Sequence, residues 1–304
     1  MKILVLGSAA GGGFPQWNCN CRNCRGVRNG SIRAVPRTQS SIAVSVDSIG
    51  WILVNASPDL LTQIKSLPQL SPRRAPRDTP FRAVILVDSQ IDHTTGLLML
   101  REGERLPVYC TDSVREDLET GNPILRVLES YCRTEWHRIP LEPGSFEVSG
   151  VDGLRFSALA VAGKAPPYSP HRDAPRSGDN LALTIEDLRR GKSVFYAPGL
   201  ADVDEAVAAR MRSADCILVD GTFWTSDEMI RQGVGRKHAA DMGHLAQSGA
   251  NGMLAHLGRI EGPRKVLIHI NNTNPILDED SAERRELARA GVEVAFDRME
   301  INLA

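Results

Sequence analysis

The strongest constraint on what this chain can fold into is the order of its short apolar runs. Residues 3–6, 41–46, 51–54 and 83–87 are runs of buried-strand length, and the second of them alternates. Later runs follow at 154–161, 181–185, 194–197, 216–219, 266–270 and 292–296. Helical patterns lie at 58–67, 124–132, 203–211, 225–232 and 281–290, the last ending just before Gly291, a suitable residue to close a helix. Strands therefore come first as neighbours and later alternate with helices. That order predicts an α/β protein in which two β-sheets pack together under a covering of helices. A proline-rich stretch from Ala165 to Pro175 reads either as a linker or as a loop across one continuous fold, since the strand patterns on its two sides are alike.

With 304 residues the chain can bury a core without cross-links. No apolar run approaches the ~20 residues that cross a bilayer. The first run ends at Gly7, too early for the apolar segment of a secretory signal. A cytoplasmic protein with no membrane insertion is the expectation. The formal net charge is -1, from 36 basic and 37 acidic residues, so nothing in it favours nucleic acid. The short basic stretch Arg73-Arg74-Ala75-Pro76-Arg77 reads as a solvated loop.

Three of the six cysteines, Cys19, Cys21 and Cys24, fall within six residues. In a reducing compartment such clustering points to a metal rather than to disulfides. Three thiolates at these spacings can meet on one tetrahedral ion if a fourth ligand arrives from elsewhere. Zinc suits them better than a redox centre, and three incidental buried thiols are the alternative. Their place near the N-terminus predicts a structural clamp set apart from any chemistry.

The other candidates sit where apolar runs end in polar residues. Asp92 and His93 follow the run at 83–87 and offer one oxygen and one nitrogen ligand. The alternative is a helix-capping Asp92 beside a surface histidine. His269 ends the run at 266–270 and could equally be a hydrogen-bonded core residue. Asp220 ends the run at 216–219 before Gly221, as a ligand, an acid/base or a cap. His238 and His244 lie six apart in a stretch that reads as substrate contact, as support behind the metal ligands, or as solvated loop.

These stretches carry a resemblance. MKILVLGSAAGGGFPQWNCNCRNC, TQSSIAVS, SQIDHTTGLL, APPYSPHR, DGTFW, MGHLAQSG and HINNTNPIL are similar to the B-type proteins of pyrroloquinoline quinone (PQQ) biosynthesis, a family within the metallo-β-lactamase fold superfamily. The resemblance spans essentially the whole chain. It implies one domain over residues 1–304, an αββα sandwich, with the site at one edge between the sheets. The superfamily's His-x-His-x-Asp-His loop falls on Asp88, Gln90, Asp92 and His93, so its first two histidines are absent. No histidine fills the third motif around Val161–Lys164, and the stretch Tyr196-Ala197-Pro198-Gly199 lacks the usual bridging aspartate. A two-zinc hydrolytic site is therefore not intact. His269 matches the superfamily's last histidine. Asp92, His93 and His269 together make the two-histidine, one-carboxylate set of mononuclear iron(II) oxygenases. The resemblance thus implies Fe(2+) on Asp92, His93 and His269, Zn(2+) on Cys19, Cys21 and Cys24, and Asp220, His238 and His244 around the substrate. The implied reaction is hydroxylation of the tyrosine ring of the crosslinked Glu–Tyr precursor of PQQ, with other PQQ biosynthesis proteins as possible partners. The alternatives are a carrier for PQQ or its precursor to the periplasm, and a residual metal-dependent hydrolase. Related clusters take their fourth ligand from a histidine at a position that here is near Asn272, so His269 could be drawn toward either site.

Overall fold

The computed structural model describes residues 1–304. Its strands are β1 (Lys2–Gly7), β2 (Ser41–Ser45), β3 (Trp51–Val54), β4 (Phe81–Ile85), β5 (Arg105–Cys110), β6 (Arg133–Arg138), β7 (Ser145–Phe146), β8 (Leu154–Ala160), β9 (Leu181–Asp187), β10 (Lys192–Ala197), β11 (Cys216–Asp220), β12 (Arg264–Ile268), β13 (Val292–Val294) and β14 (Glu300–Asn302). They form two seven-stranded sheets. One runs β14-β1-β2-β3-β4-β5-β6 and the other β13-β12-β11-β10-β9-β8-β7. In each sheet an antiparallel part gives way to parallel strands, β3 to β6 in the first and β10 to β13 in the second.

Alternation along each strand builds the layers, because successive side chains point to opposite faces. Ile3, Val5, Ile42, Val44, Ile52 and Val54 meet Phe156, Leu183, Ile185, Val194 and Leu218 in the core between the sheets. The intervening residues Leu4, Leu6, Trp51 and Leu53 pack outward on helical residues Leu60, Val114, Leu118 and Leu125. Phe195, Ile217, Val219 and Leu267 do the same on Val207, Met211, Leu257 and Leu287. Strands buried on both faces read as unbroken apolar runs, which is why they stood out in the sequence. The result is the αββα sandwich of the metallo-β-lactamase fold. No helix is long and apolar enough to cross a membrane.

Several expected elements are shorter than the apolar pattern suggested, or shifted along it. β12 stops at Ile268 rather than residue 270, because His269 takes a left-handed backbone at φ 61. The helix expected at 225–232 is the single turn Glu228–Arg231. The helix expected at 203–211 begins at Glu205, where the Asp204 side chain accepts from Val207 N at 2.8 Å and caps it. β5, β6 and the helix Arg22–Asn29 were not expected at all. β6 (RTEWHR) is a polar edge strand, and the helix RNCRGVRN has no apolar stripe.

The parallel strands aim their C-terminal ends at one edge. β11 and β12 pair in register with Asp220 opposite Ile268, so Asp220 and His269 emerge side by side. Single bridges Ala9–Ile270 and Asp88–Asn180 tie the two sheets together at this same edge.

Candidate metal centre and cavity

The segment after β4 is drawn tight before it reaches the site. Asn55 Oδ1 accepts from Val87 N at 3.1 Å, and Ala56 N donates to the His93 carbonyl at 2.7 Å. Gly96 follows because a Cβ there would lie 2.2 Å from the Ser57 carbonyl oxygen. His93 is thereby buried, not on the surface, and Asp92 caps no helix: the N-cap of the turn Ile91–Thr94 is Gln90.

His93 Nδ1 sits 2.8 and 2.9 Å from the two oxygens of Asp88. Donation from Nδ1 to that carboxylate fixes the ring and turns Nε2 toward Asp92. Nε2 is buried with no hydrogen-bond partner. Burial opposes charge on this ring, but the carboxylates of Asp88 and Asp92 outweigh it and lift the His93 pKa to about 9. Burial likewise opposes charge on Asp92, and His93 and His269 hold its carboxyl well below the usual range.

His269 is fixed from behind in the same manner. Thr222 Oγ1 lies 2.6 Å from Asp220 Oδ1 and 2.9 Å from His269 Nδ1. A hydroxyl has a single proton, and the carboxylate is its strongest acceptor. His269 Nδ1 then donates to Thr222, and its Nε2 faces Asp92 Oδ2 at 3.1 Å. Asp92 Oδ2 is 4.0 Å from His93 Nε2. Two imidazole nitrogens and a carboxylate oxygen therefore converge on one spot, where a divalent cation would take the place of Nε2 protons. Ligands about 2.1 Å from a common ion lie roughly 3 Å or more apart, so these separations fit one.

Asp220, His244 and His269 also lie close enough to share an ion. Their facing atoms are already engaged: Asp220 Oδ2 accepts from His244 Nδ1 at 2.7 Å and from Leu200 N at 3.0 Å. These contacts set Asp220 and His244 behind His269. Asp220 is no helix cap, and with its burial opposing, His244 still holds its pKa low. His238, grouped with the site from the sequence, does not reach it. It is exposed, and it does not line the cavity. Its backbone N–H donates at 2.9 Å to Asp241 in the turn Ala240–Met242, so the chain places it outside.

The cysteines meet on the other side of the loop that carries His269. Cys21 caps the helix Arg22–Asn29 by accepting from Cys24 N at 3.5 Å, and Cys21 N donates to Cys19 Sγ at 3.4 Å. The hydrogen bond from Cys21, against burial and with help from Asn272, brings the Cys24 thiol down to about 5. Asn272 Nδ2 is 3.3 Å from Cys24 Sγ. His269 thus faces Asp92, while Asn272 occupies the place beside the thiols. The cluster is not set apart from the other groups. Cys19, Asn20 and Asn272 line the same cavity of about 590 Å³ as Asp92, His93, His244 and His269. The sequence hid this because Cys19 and Asn272 are some 250 positions apart and only the fold brings them together.

A buried carboxylate supports the same loop. Glu228 accepts from Thr273 Oγ1 at 2.5 Å and from Trp224 N at 2.7 Å, and burial lifts its pKa to about 7. Its folded-state pKa lies above that of the unfolded chain, so stability falls as pH rises from about 4.5 through 7. Glu228→Gln is therefore expected to raise the melting temperature above pH 7.5, by the equivalent of about 1–3 kcal/mol, and to change it little at pH 5. Thermal unfolding at the two pH values measures this.

This fold and this edge define a β-lactamase superfamily protein, and the family model described as "Beta-lactamase superfamily domain" matches residues 50–270. Within it, the chain belongs to the coenzyme PQQ synthesis protein B family. It is 59% identical over 306 residues to coenzyme PQQ synthesis protein B of Azoarcus sp. (strain BH72), covering 100% of each chain. With the protein of that name from Cupriavidus necator it shares 60% over 303 residues, covering 99% of each. The crystal structure of Zn(2+)-bound PqqB from Methylobacterium extorquens superposes with a TM-score of 0.91 at 41% identity, covering 100% of each chain. A diphosphatase of the PhnP family, at 17% identity and a TM-score of 0.70, covering 100% of this chain and 98% of its own, shares the fold.

Proposed function

We propose that the protein acts in coenzyme PQQ biosynthesis, as an iron- and O2-dependent hydroxylase of the tyrosine ring of the crosslinked Glu–Tyr precursor. The observation that carries this reading is the convergence of Asp92, His93 and His269, with His93 Nε2 buried and unpartnered. A ferrous ion held by these three groups supplies open coordination positions for oxygen chemistry. The positions that a second metal would need support the reading too. Asp88 is spent on His93, and Gln90 donates from Nε2 to the Lys164 carbonyl at 2.9 Å.

The chain's own groups then have distinct tasks. Asp88 and Thr222 hold the two imidazoles with Nε2 forward. His244, its Nδ1 against Asp220, keeps Nε2 as a base on the cavity wall, placed to take a phenolic proton. The three thiols would hold a zinc ion, with Asn272 Nδ2 donating to Cys24 Sγ beside them, and would fix the wall that Cys19 and Asn20 form.

Iron-loaded protein given the precursor, oxygen and an external reductant is expected to consume O2 in step with hydroxylated product. His93→Ala and His269→Ala are expected to lose both iron and uptake. Binding of precursor or PQQ without O2 consumption would instead make the protein a carrier. Asp88→Asn is expected to weaken metal at this site by about 10–100-fold without unfolding the chain, read by competition with a chelator.

A further inference from the structure

We infer that Lys164 is the anion anchor of the cavity: a specificity-determining residue that holds a carboxylate of the ligand. Lys164 is the single lysine or arginine among the residues that line it. The lysines that form ion pairs, Lys2 with Glu300 and Lys192 with Asp215, lie elsewhere, and Lys164 is in none. The cavity's own carboxylates, Asp88 and Asp92, are both turned to histidines. Lys164 is exposed and its ammonium forms no ion pair, which leaves it available to a ligand.

Its backbone, by contrast, is held from two sides. Gln90 Nε2 donates to its carbonyl at 2.9 Å. The turn that leads to His244 packs against its amide so closely that a Cβ on Gly243 would lie 3.0 Å from Lys164 N, and Gly243 has φ +85. Lys164 and His244 are thus set on one wall by a shared contact. Gln90 stands at one of the places where the resemblance leaves a metal-binding histidine missing, Lys164 falls in the stretch Val161–Lys164 that lacks another, and here the two residues touch. Around them the lining is rich in carboxamides, among them Gln16, Asn20, Asn180 and Asn271. Carboxamides donate to carboxylate and quinone oxygens alike. One free cation among amides suits a ligand that offers a carboxylate to Lys164 and further oxygen acceptors to the carboxamides.

This inference rests on the reading of the cavity as a site for an acidic aromatic molecule, but it does not depend on oxygen chemistry. The test is calorimetric titration of the full-length protein with PQQ and with its trimethyl ester, for wild type, Lys164→Met and Lys164→Arg. Wild type is expected to bind PQQ at least tenfold more tightly than the ester. Lys164→Met is expected to lose about tenfold for PQQ and nothing for the ester, and Lys164→Arg to stay within threefold of wild type. Unchanged PQQ affinity in Lys164→Met, an equal loss for acid and ester, or a wild type that does not distinguish them would each overturn the assignment. Failure of O2 consumption with these affinities as expected would overturn the hydroxylase reading alone.

Discussion

Replacing His93 by alanine is expected to empty the Asp92–His93–His269 site of metal and to abolish turnover, while the protein stays folded. His93 supplies a whole ligand. Its removal should cost more than the about 10–100-fold that follows loss of a supporting partner. It also strips Asp88 of the proton donor it was placed to meet, leaving a carboxylate 5% exposed beside Asp92. Two like charges then share one buried edge, so the variant should also be somewhat less stable at high pH than at low pH. Metal content by mass spectrometry after chelator dialysis, with O2 uptake measured in parallel, checks the effect. His93→Ala that keeps stoichiometric metal and activity would remove the site from consideration.

The second large effect is expected from Cys21→Ser. Bound structural zinc is folding free energy, with apparent values of about 10–16 kcal/mol in small zinc-dependent peptides. In a chain with three further cores only part of that can be lost. A fall of several kcal/mol, loss of the zinc, and a melting temperature no longer lowered by chelator are the expected results. The loss would not be confined to stability. Cys21 caps the helix Arg22–Asn29, Arg28 of that helix donates to the carbonyls of Gln16 and Cys19, and both residues line the cavity. KM should therefore rise together with the fall in stability. Retained zinc and unchanged melting with lost turnover would make the cysteines part of the chemistry instead.

Much of the scaffold was legible because its strands are buried on both faces. β1, β3, β4, β11 and β12 write themselves as apolar runs, and the ends of the last three mark Asp92, Asp220 and His269. What stayed hidden has physical causes. β6 is an edge strand with polar residues on it, and the helix at Arg22–Asn29 is held by Cys21 and by Asn23, which donates to the Asn272 and Asn274 carbonyls. Neither leaves an apolar run. Asp88 read only as a missing histidine, yet five positions before His93 it is the group that orients that ring. Thr222 gave no signal beyond its place after Asp220. Its role exists only because β11 and β12 lie side by side. His238 misled for the opposite reason: closeness to His244 in sequence did not bring it to the same wall.

His269 shows where local and global preferences part. A non-glycine residue at φ 61 costs roughly 1–2 kcal/mol in backbone strain. Its neighbours impose it: Ile270 N donates to the Ser8 carbonyl at 2.9 Å, and Asn271 N to the Thr222 carbonyl at 3.1 Å. The chain thus turns sharply between a ligand for one cluster, His269, and Asn272 beside the other. Strain of this kind collects where a side chain must be aimed.

The most direct test of the central claim is anomalous diffraction at the iron and zinc edges from crystals of protein loaded anaerobically with ferrous iron. An iron peak among Asp92, His93 and His269, with a zinc peak among Cys19, Cys21 and Cys24, is the predicted result. Zinc in the Asp92 site after iron loading, or iron found only at the cysteines, would contradict it.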